Sequence, residues 1–253
     1  MLWRGTAAFL EAQGYRPILV SWAPREGQGA AEVAETVIAP LIDAALSEAG
    51  FSKVDGFHLV AHSLGGLISR HLLEQAGPDS TDWNQRVRSL TMLSTPHHGA
   101  RTGLAAFACH HFRDRRWRAV ACDMRPRSDF LRGLGSRRSS ELAVPYLSIG
   151  VESPAPFLLV PLFDGDGDGR PRGNDNAVMA ESSALAGAPF ALWRGWSESD
   201  HFTASCSSVV NDWIVQFVRS GELPQPSTKR LSSSNICDGL PRDIDGAAGS
   251  GDR

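Results

Sequence analysis

The sequence has no apolar run long enough to cross a bilayer. Its longest uncharged stretch, residues 155–163, is far too short and is broken by Pro156 and Pro161. A transmembrane segment is therefore not expected in these residues. It also lacks a basic block: the arginines between Arg113 and Arg138 are scattered, and the formal net charge of the 253 residues is −3. A nucleic-acid partner is therefore not expected. The four cysteines, Cys109, Cys122, Cys206 and Cys237, show neither CxxC nor Cys/His ligand spacing, which argues against structural zinc. The pairs His97-His98 and His110-His111 do not change this, because adjacent side chains point different ways on a strand or a helix. Cysteine usage leaves the compartment open between cytoplasm and export. Cys109 and Cys122 would close a short disulfide in an exported protein, but the expectation from the sequence is two buried free thiols. No internal repeat is present, so a solenoid is excluded.

What is present is a periodicity that alternates between helix and strand. Residues 2–13 read as a helix stopped by Gly14, and residues 16–22 as a strand. Ala30, Val33, Ala34, Val37, Ile38, Leu41, Ala45 and Ala49 form one helical stripe, with a kink expected at Pro40. Residues 57–60, 87–94, 145–151 and 190–194 read as further strands, and residues 207–219 as a final amphipathic helix. Strands separated by helices require crossover connections. The pattern therefore predicts an α/β chain, a mostly parallel sheet with helices on both faces. The length suits one domain, residues 1–220. Within it, residues 99–142 are too long for a plain connection and read as an inserted helical cap. From residue 221 the composition turns to Pro, Ser, Gly, Asp and Arg, and the segment to 253 reads as a disordered tail.

The motif with the most chemical content is Ala61-His62-Ser63-Leu64-Gly65-Gly66, between the apolar run 57–60 and a helical stretch. A strand that turns this sharply into a helix holds the residue at the turn in strained backbone geometry, with its side chain projecting from the sheet edge. Small residues at Ala61 and Gly65 are expected to let strand and helix pass closely. A serine hydroxyl is a poor nucleophile at neutral pH and needs a histidine base held by a carboxylate. Of the eight histidines, His201 is the best placed, between the last strand and the last helix. His58 and His71 read as packing or surface residues, and His62 is too close in sequence to Ser63 to make the in-line hydrogen bond. Asp175 in Gly173-Asn174-Asp175-Asn176-Ala177-Val178 is the candidate acid, which gives the order Ser63, Asp175, His201. The Leu64 N–H is the candidate oxyanion donor. Asp164-Gly165-Asp166-Gly167-Asp168-Gly169 matches the start of a calcium loop with Asp175 at its twelfth position, but flanking helices are missing and Arg170 and Arg172 crowd it. It reads as a solvated turn, with no cofactor expected. Were calcium to take Asp175, Asp168 or Asp166 would become the acid.

At these residues the chain resembles the bacterial lipase branch of the α/β-hydrolase superfamily. The resemblance covers residues 2–219 and rests on four segments in order: the serine motif, the strand exit Leu93-Ser94-Thr95-Pro96-His97-His98-Gly99-Ala100, the acid segment Asn174-Asp175-Asn176-Ala177-Val178, and Asp200-His201-Phe202. Asn176 stands where such lipases usually have glycine. The resemblance implies carboxylic-ester hydrolysis through an acyl-enzyme, with lipid-interface contact and a mobile lid at residues 99–142. The alternatives are an acyltransferase with the same triad and a non-catalytic fragment. In such lipases a strand ending in His-Gly, whose loop supplies a second oxyanion donor, precedes the helix that residues 2–13 resemble. The expectation is that Met1 is an internal methionine and that this strand and loop are missing.

Overall fold

The structure is a computed structural model, and it describes residues 2–52, 55–74, 82–100, 109–111, 113–134, 144–153, 175, 177–195, 200–222 and 236–237. Residues 154–174, which hold the calcium-loop motif with Asp166 and Asp168 and the apolar run 155–163, lie outside them.

Four strands form one parallel sheet in the order β1 (Phe57–His62), β2 (Val87–Leu93), β3 (Tyr146–Glu152) and β4 (Phe190–Arg194). The inner strands β2 and β3 are buried almost throughout, as strands covered on both faces must be. One core cluster gathers Leu67, Ile68, Leu73, Leu90 and Met92 with the helix stripe Ala30, Val33, Ala34 and Ile38, and the other packs Leu93, Leu147, Ile149 and Val151 against Val210, Ile214 and Phe217 of the last helix. Both faces of the sheet are thus covered by helices.

Helix α1 (Arg4–Ala12) ends before Gly14, whose φ of +86° needs a residue without a Cβ. The stripe from Ala30 is helical through α2 (Ala30–Val33), a π-turn (Ala34–Ile38) and α3 (Ala39–Glu48). Pro40 explains the π-turn. It has no N–H for the carbonyl four residues back, and Ala39 N–H reaches instead to Ala34 O, five residues back, so the chain stays helical with a local widening where a kink was expected. Helices α4 (Leu64–Glu74) and α5 (Asp82–Arg86) join β1 to β2, and α6 (Arg118–Asp123) and α7 (Asp129–Leu134) lie between β2 and β3. The last helix, α8 (Ser208–Ser220), is capped by Ser207 Oγ, which accepts from Val210 N–H, and by Gly221 in the left-handed region at φ +70°.

Three sequence expectations are corrected. Residues 16–22 are not a strand: Ile18, Val20 and Trp22 do turn inward in strand-like alternation and pack on the core, but the segment makes no ladder with β1, and a cavity lies beside both. Alternation reports which side is buried, not whether a backbone partner is in reach. The cysteines are not free thiols. Cys109 pairs with Cys122 across a Cα–Cα distance of 4.7 Å, and Cys206 with Cys237 across 5.3 Å. The second bridge fixes part of the segment read as a tail: Ile236 N–H donates to Cys206 O at 2.9 Å, and a Cβ on Gly5 of α1 would meet Cys237 Sγ at 2.6 Å. Finally, Gly65 has room for a methyl, its nearest neighbour being Ala61 Cβ at 3.9 Å. The tight position is Gly66, where a Cβ would meet Thr95 Cγ2 at 2.8 Å and Thr95 Cβ at 2.9 Å.

Candidate active site

All four strands run the same way, so the chain leaves each of them at the same sheet edge, where α/β folds place their ligand sites. Ser63 follows β1 there. Its φ is +53°, a left-handed conformation unusual for a residue with a Cβ, and its N–H donates to Leu93 O at 2.9 Å. The strain is held by what surrounds it: β1 is hydrogen-bonded to β2 up to His62, and α4, buried nearly all round, starts at the next residue. Leu64 is the first residue of that helix, so its N–H has no intrahelical acceptor. Ser94 repeats the turn at the end of β2, with φ +50° and its N–H donating to Ile149 O at 2.8 Å.

Asp175 and His201 are buried and paired. His201 Nδ1 donates to Asp175 Oδ2 at 2.8 Å, and His201 N–H to the Asp175 carbonyl at 2.7 Å. Asp175 Oδ1 accepts from Ala177 N–H at 3.0 Å and Val178 N–H at 2.7 Å. Burial pushes the Asp175 carboxyl up. The hydrogen bond and charge of His201 and the Val178 N–H help outweigh it, and the group is held below its ordinary value of 3.8. The carboxylate is therefore ionised at neutral pH, and with Nδ1 donating to it, the free Nε2 of His201 is the basic nitrogen.

Ser63, Leu64, His201, Ala177 and Val178 all line one cavity of about 970 Å³. No hydrogen bond joins Ser63 Oγ to His201 among the described residues, and such contacts in ligand-free sites are often long. The cavity is also lined by the residues of β1 and walled by Leu10, Ile38, Ile42, Leu46 and Phe51. Val120 and Ala121 of α6, within the segment read as a cap, also line it. That segment is tied to the core by Asp123 Oδ2, which accepts the Ala30 N–H at 2.6 Å and so caps α2 from across the chain. Gly29 leaves room for it, since a Cβ there would meet the same oxygen at 2.8 Å. Phe202, beside His201, also lines the cavity and is 71% exposed.

Two groups at the site were not legible in the sequence. His62 turns away from Ser63, and its Nε2 lies 2.7 Å from the His201 carbonyl. On the helix that follows Ser63, Arg70 and Glu74 form a fully buried, two-pronged ion pair at 2.6 and 2.9 Å. Arg70 also donates to His97 Nδ1 at 3.2 Å and to the Leu134 carbonyl at 3.2 Å. With Nδ1 accepting, His97 carries its proton on Nε2 and donates to Ser148 Oγ at 3.1 Å, and Ser148 in turn donates to the Ser183 carbonyl. This chain links α4, the exit of β2, β3 and the turn after Asp175. His98 Nε2 is 2.9 Å from the Ala184 carbonyl, so the adjacent histidines go to different partners.

No family model and no curated protein matches the chain. Solved structures do. The mature form of the lipase BlEst2 from Bacillus licheniformis superposes with a TM-score of 0.52 at 19% identity, over 76% of this chain and 74% of that one. The metagenomic carboxyl esterase MGS0156 gives 0.51 at 21% identity, over 78% and 57%. The phospholipase PlaB from Legionella pneumophila gives 0.50 at 14%, over 72% of this chain and 40% of that one. The chain thus spans about half the length of the last two, and its fold is the α/β-hydrolase fold of these lipases and esterases, a parallel sheet with helices packed on it.

Proposed function

We propose that the chain is a carboxylic-ester hydrolase of the lipase and esterase kind, acting through a serine acyl-enzyme with Ser63 as nucleophile, His201 as base and Asp175 as its orienting acid. The observation that carries this reading is the conjunction of a left-handed Ser63 at a strand-to-helix turn with an Asp175–His201 pair whose histidine lines the same cavity. The strained turn presents the hydroxyl at the sheet edge. His201 Nε2 takes the Ser63 proton as Oγ bonds to the ester carbonyl carbon, and the developing oxyanion lies against the Leu64 N–H. Collapse breaks the ester C–O bond, and the alcohol leaves with the proton from His201. Water then attacks the acyl-enzyme, giving its proton to the same nitrogen, and the carboxylic acid is released with Ser63 restored.

The volume and apolar walls of the cavity suit an acyl chain, and the exposed Phe202 among its lining residues suits a lipid interface. The naming of the superposed enzymes as lipase, carboxyl esterase and phospholipase supports an ester substrate. Hydrolysis of short p-nitrophenyl esters tests the reading. Wild-type protein should turn over, and Ser63→Ala should lower kcat by about 10⁴ or more. Unchanged turnover in Ser63→Ala would place the chemistry elsewhere.

A further inference from the structure

The strand order poses a mechanical problem for His201. It follows β4, whereas Ser63 follows β1, and these strands are separated by β2 and β3. At about 4.8 Å per strand, the loop after β4 has to return about 14 Å across the sheet edge. The Asp175 contacts do not solve this. They fix His201 relative to a loop that itself follows β3, on the same far side. Farther along, Thr6 Oγ1 donates to the Ser205 carbonyl at 3.0 Å and Ser205 Oγ to the Leu2 carbonyl at 2.9 Å, which ties the chain to α1 and its approach rather than to β1.

Among the described residues, the hydrogen bond that refers His201 to β1 comes from His62, the last residue of that strand. Its Nε2 is 2.7 Å from the His201 carbonyl oxygen, and its ring lies 4.4 Å from the His201 ring, centroid to centroid. A carbonyl only accepts, so Nε2 carries the proton and donates, which fixes the tautomer. Trp3 also packs against the ring in a T-shaped arrangement, with centroids 6.3 Å apart. We infer that His62 is a positioning residue: its imidazole pins the His201 backbone to the end of β1, one residue from Ser63, and thereby sets where the His201 ring stands relative to the nucleophile. The inference rests on the proposed roles of Ser63 and His201. Burial, and then the neighbouring His201, pushes the His62 pKa down to about 3, so the ring is neutral at neutral pH and adds no charge opposing protonation of His201 during turnover.

The test compares His62→Gln, which keeps an N–H donor at similar reach, with His62→Leu, which keeps bulk and loses the donor. One readout needs no substrate: the proton resonance of His201 Nδ1–H, bonded to Asp175, and its protection from exchange with water. The second is kcat and KM on a short ester. His62→Leu should weaken the resonance and lower kcat about 10²-fold with KM within about twofold, the cost expected of a reacting group displaced by about 1 Å, and His62→Gln should recover both. Equal behaviour of the two variants, whether both like wild type or both impaired, would overturn the inference. If wild-type protein hydrolyses no ester, the functional reading fails, while the resonance comparison still decides whether His62 holds His201.

Discussion

Asp175→Asn separates the electronic role of the carboxylate from its structural one. In the wild type, Oδ1 accepts two backbone N–H groups, from Ala177 and Val178, and Oδ2 accepts from His201 Nδ1. An asparagine keeps the turn only if its carbonyl oxygen takes the Oδ1 place, because an NH2 there would face two donors. The amide NH2 then faces His201 Nδ1, and being a donor it requires that nitrogen to accept. The imidazole proton moves to Nε2, which can no longer take the Ser63 proton. The fold is kept and the base is lost. The expected consequence is a fall in kcat of about 10⁴, or about 5 kcal/mol of transition-state stabilisation, with KM within about twofold. Steady-state kinetics on a p-nitrophenyl ester, with circular dichroism to show an intact fold, measures it. A loss of less than about tenfold, or one carried by KM, would refute the tautomer argument.

Two further outcomes follow from the packing. His62 and His97 are both held below the ordinary histidine value of 6.5, mainly by burial, His97 well below it with Arg70 and His98 adding to the effect. The unfolded chain therefore binds protons that the folded one refuses, so the stability these groups contribute is full above about pH 6.5 and is lost as the pH falls below it. Each should remove about 1 kcal/mol per pH unit, and urea midpoints should fall steadily from pH 7 to pH 5, where a flat profile would contradict the neutral assignments. Gly66→Ala should destabilise by about 1–2 kcal/mol, the overpacking against Thr95 exceeding the gain in helix propensity, while Gly65→Ala should be neutral or slightly stabilising; equal melting temperatures for the two would contradict the packing described.

The strands β1 to β4 and helix α8 could be read from the sequence because short apolar runs and a five-residue apolar stripe are bounded by breakers or polar turns. The sharp turn at Ser63 and the segments that bring Asp175 and His201 together were legible for a related reason: the elbow, the acid turn and the histidine loop are local patterns in the sequence, while the catalytic roles given to these residues are part of the proposal. The failures share a cause. Residues 16–22 alternate like a strand, yet alternation carries no information about a hydrogen-bonding neighbour. Pairing of Cys109 with Cys122 and of Cys206 with Cys237 depends on an approach of about 5 Å that the spacing does not reveal. Arg70 and Glu74 look like an ordinary surface pair four residues apart, and are buried only because α4 is covered all round. His62 was weighed for its distance to Ser63, whereas its partner is the carbonyl of a residue 139 positions away.

The central claim is that Ser63 Oγ is an activated nucleophile served by His201. Covalent labelling with a fluorophosphonate, followed by intact mass and peptide mapping, tests it without any assumption about the natural ester. The account predicts one adduct per chain, located on Ser63, lost in Ser63→Ala and slowed by about 10⁴ in Asp175→Asn. Absence of the adduct from the wild type, or labelling that persists in Ser63→Ala, would contradict it.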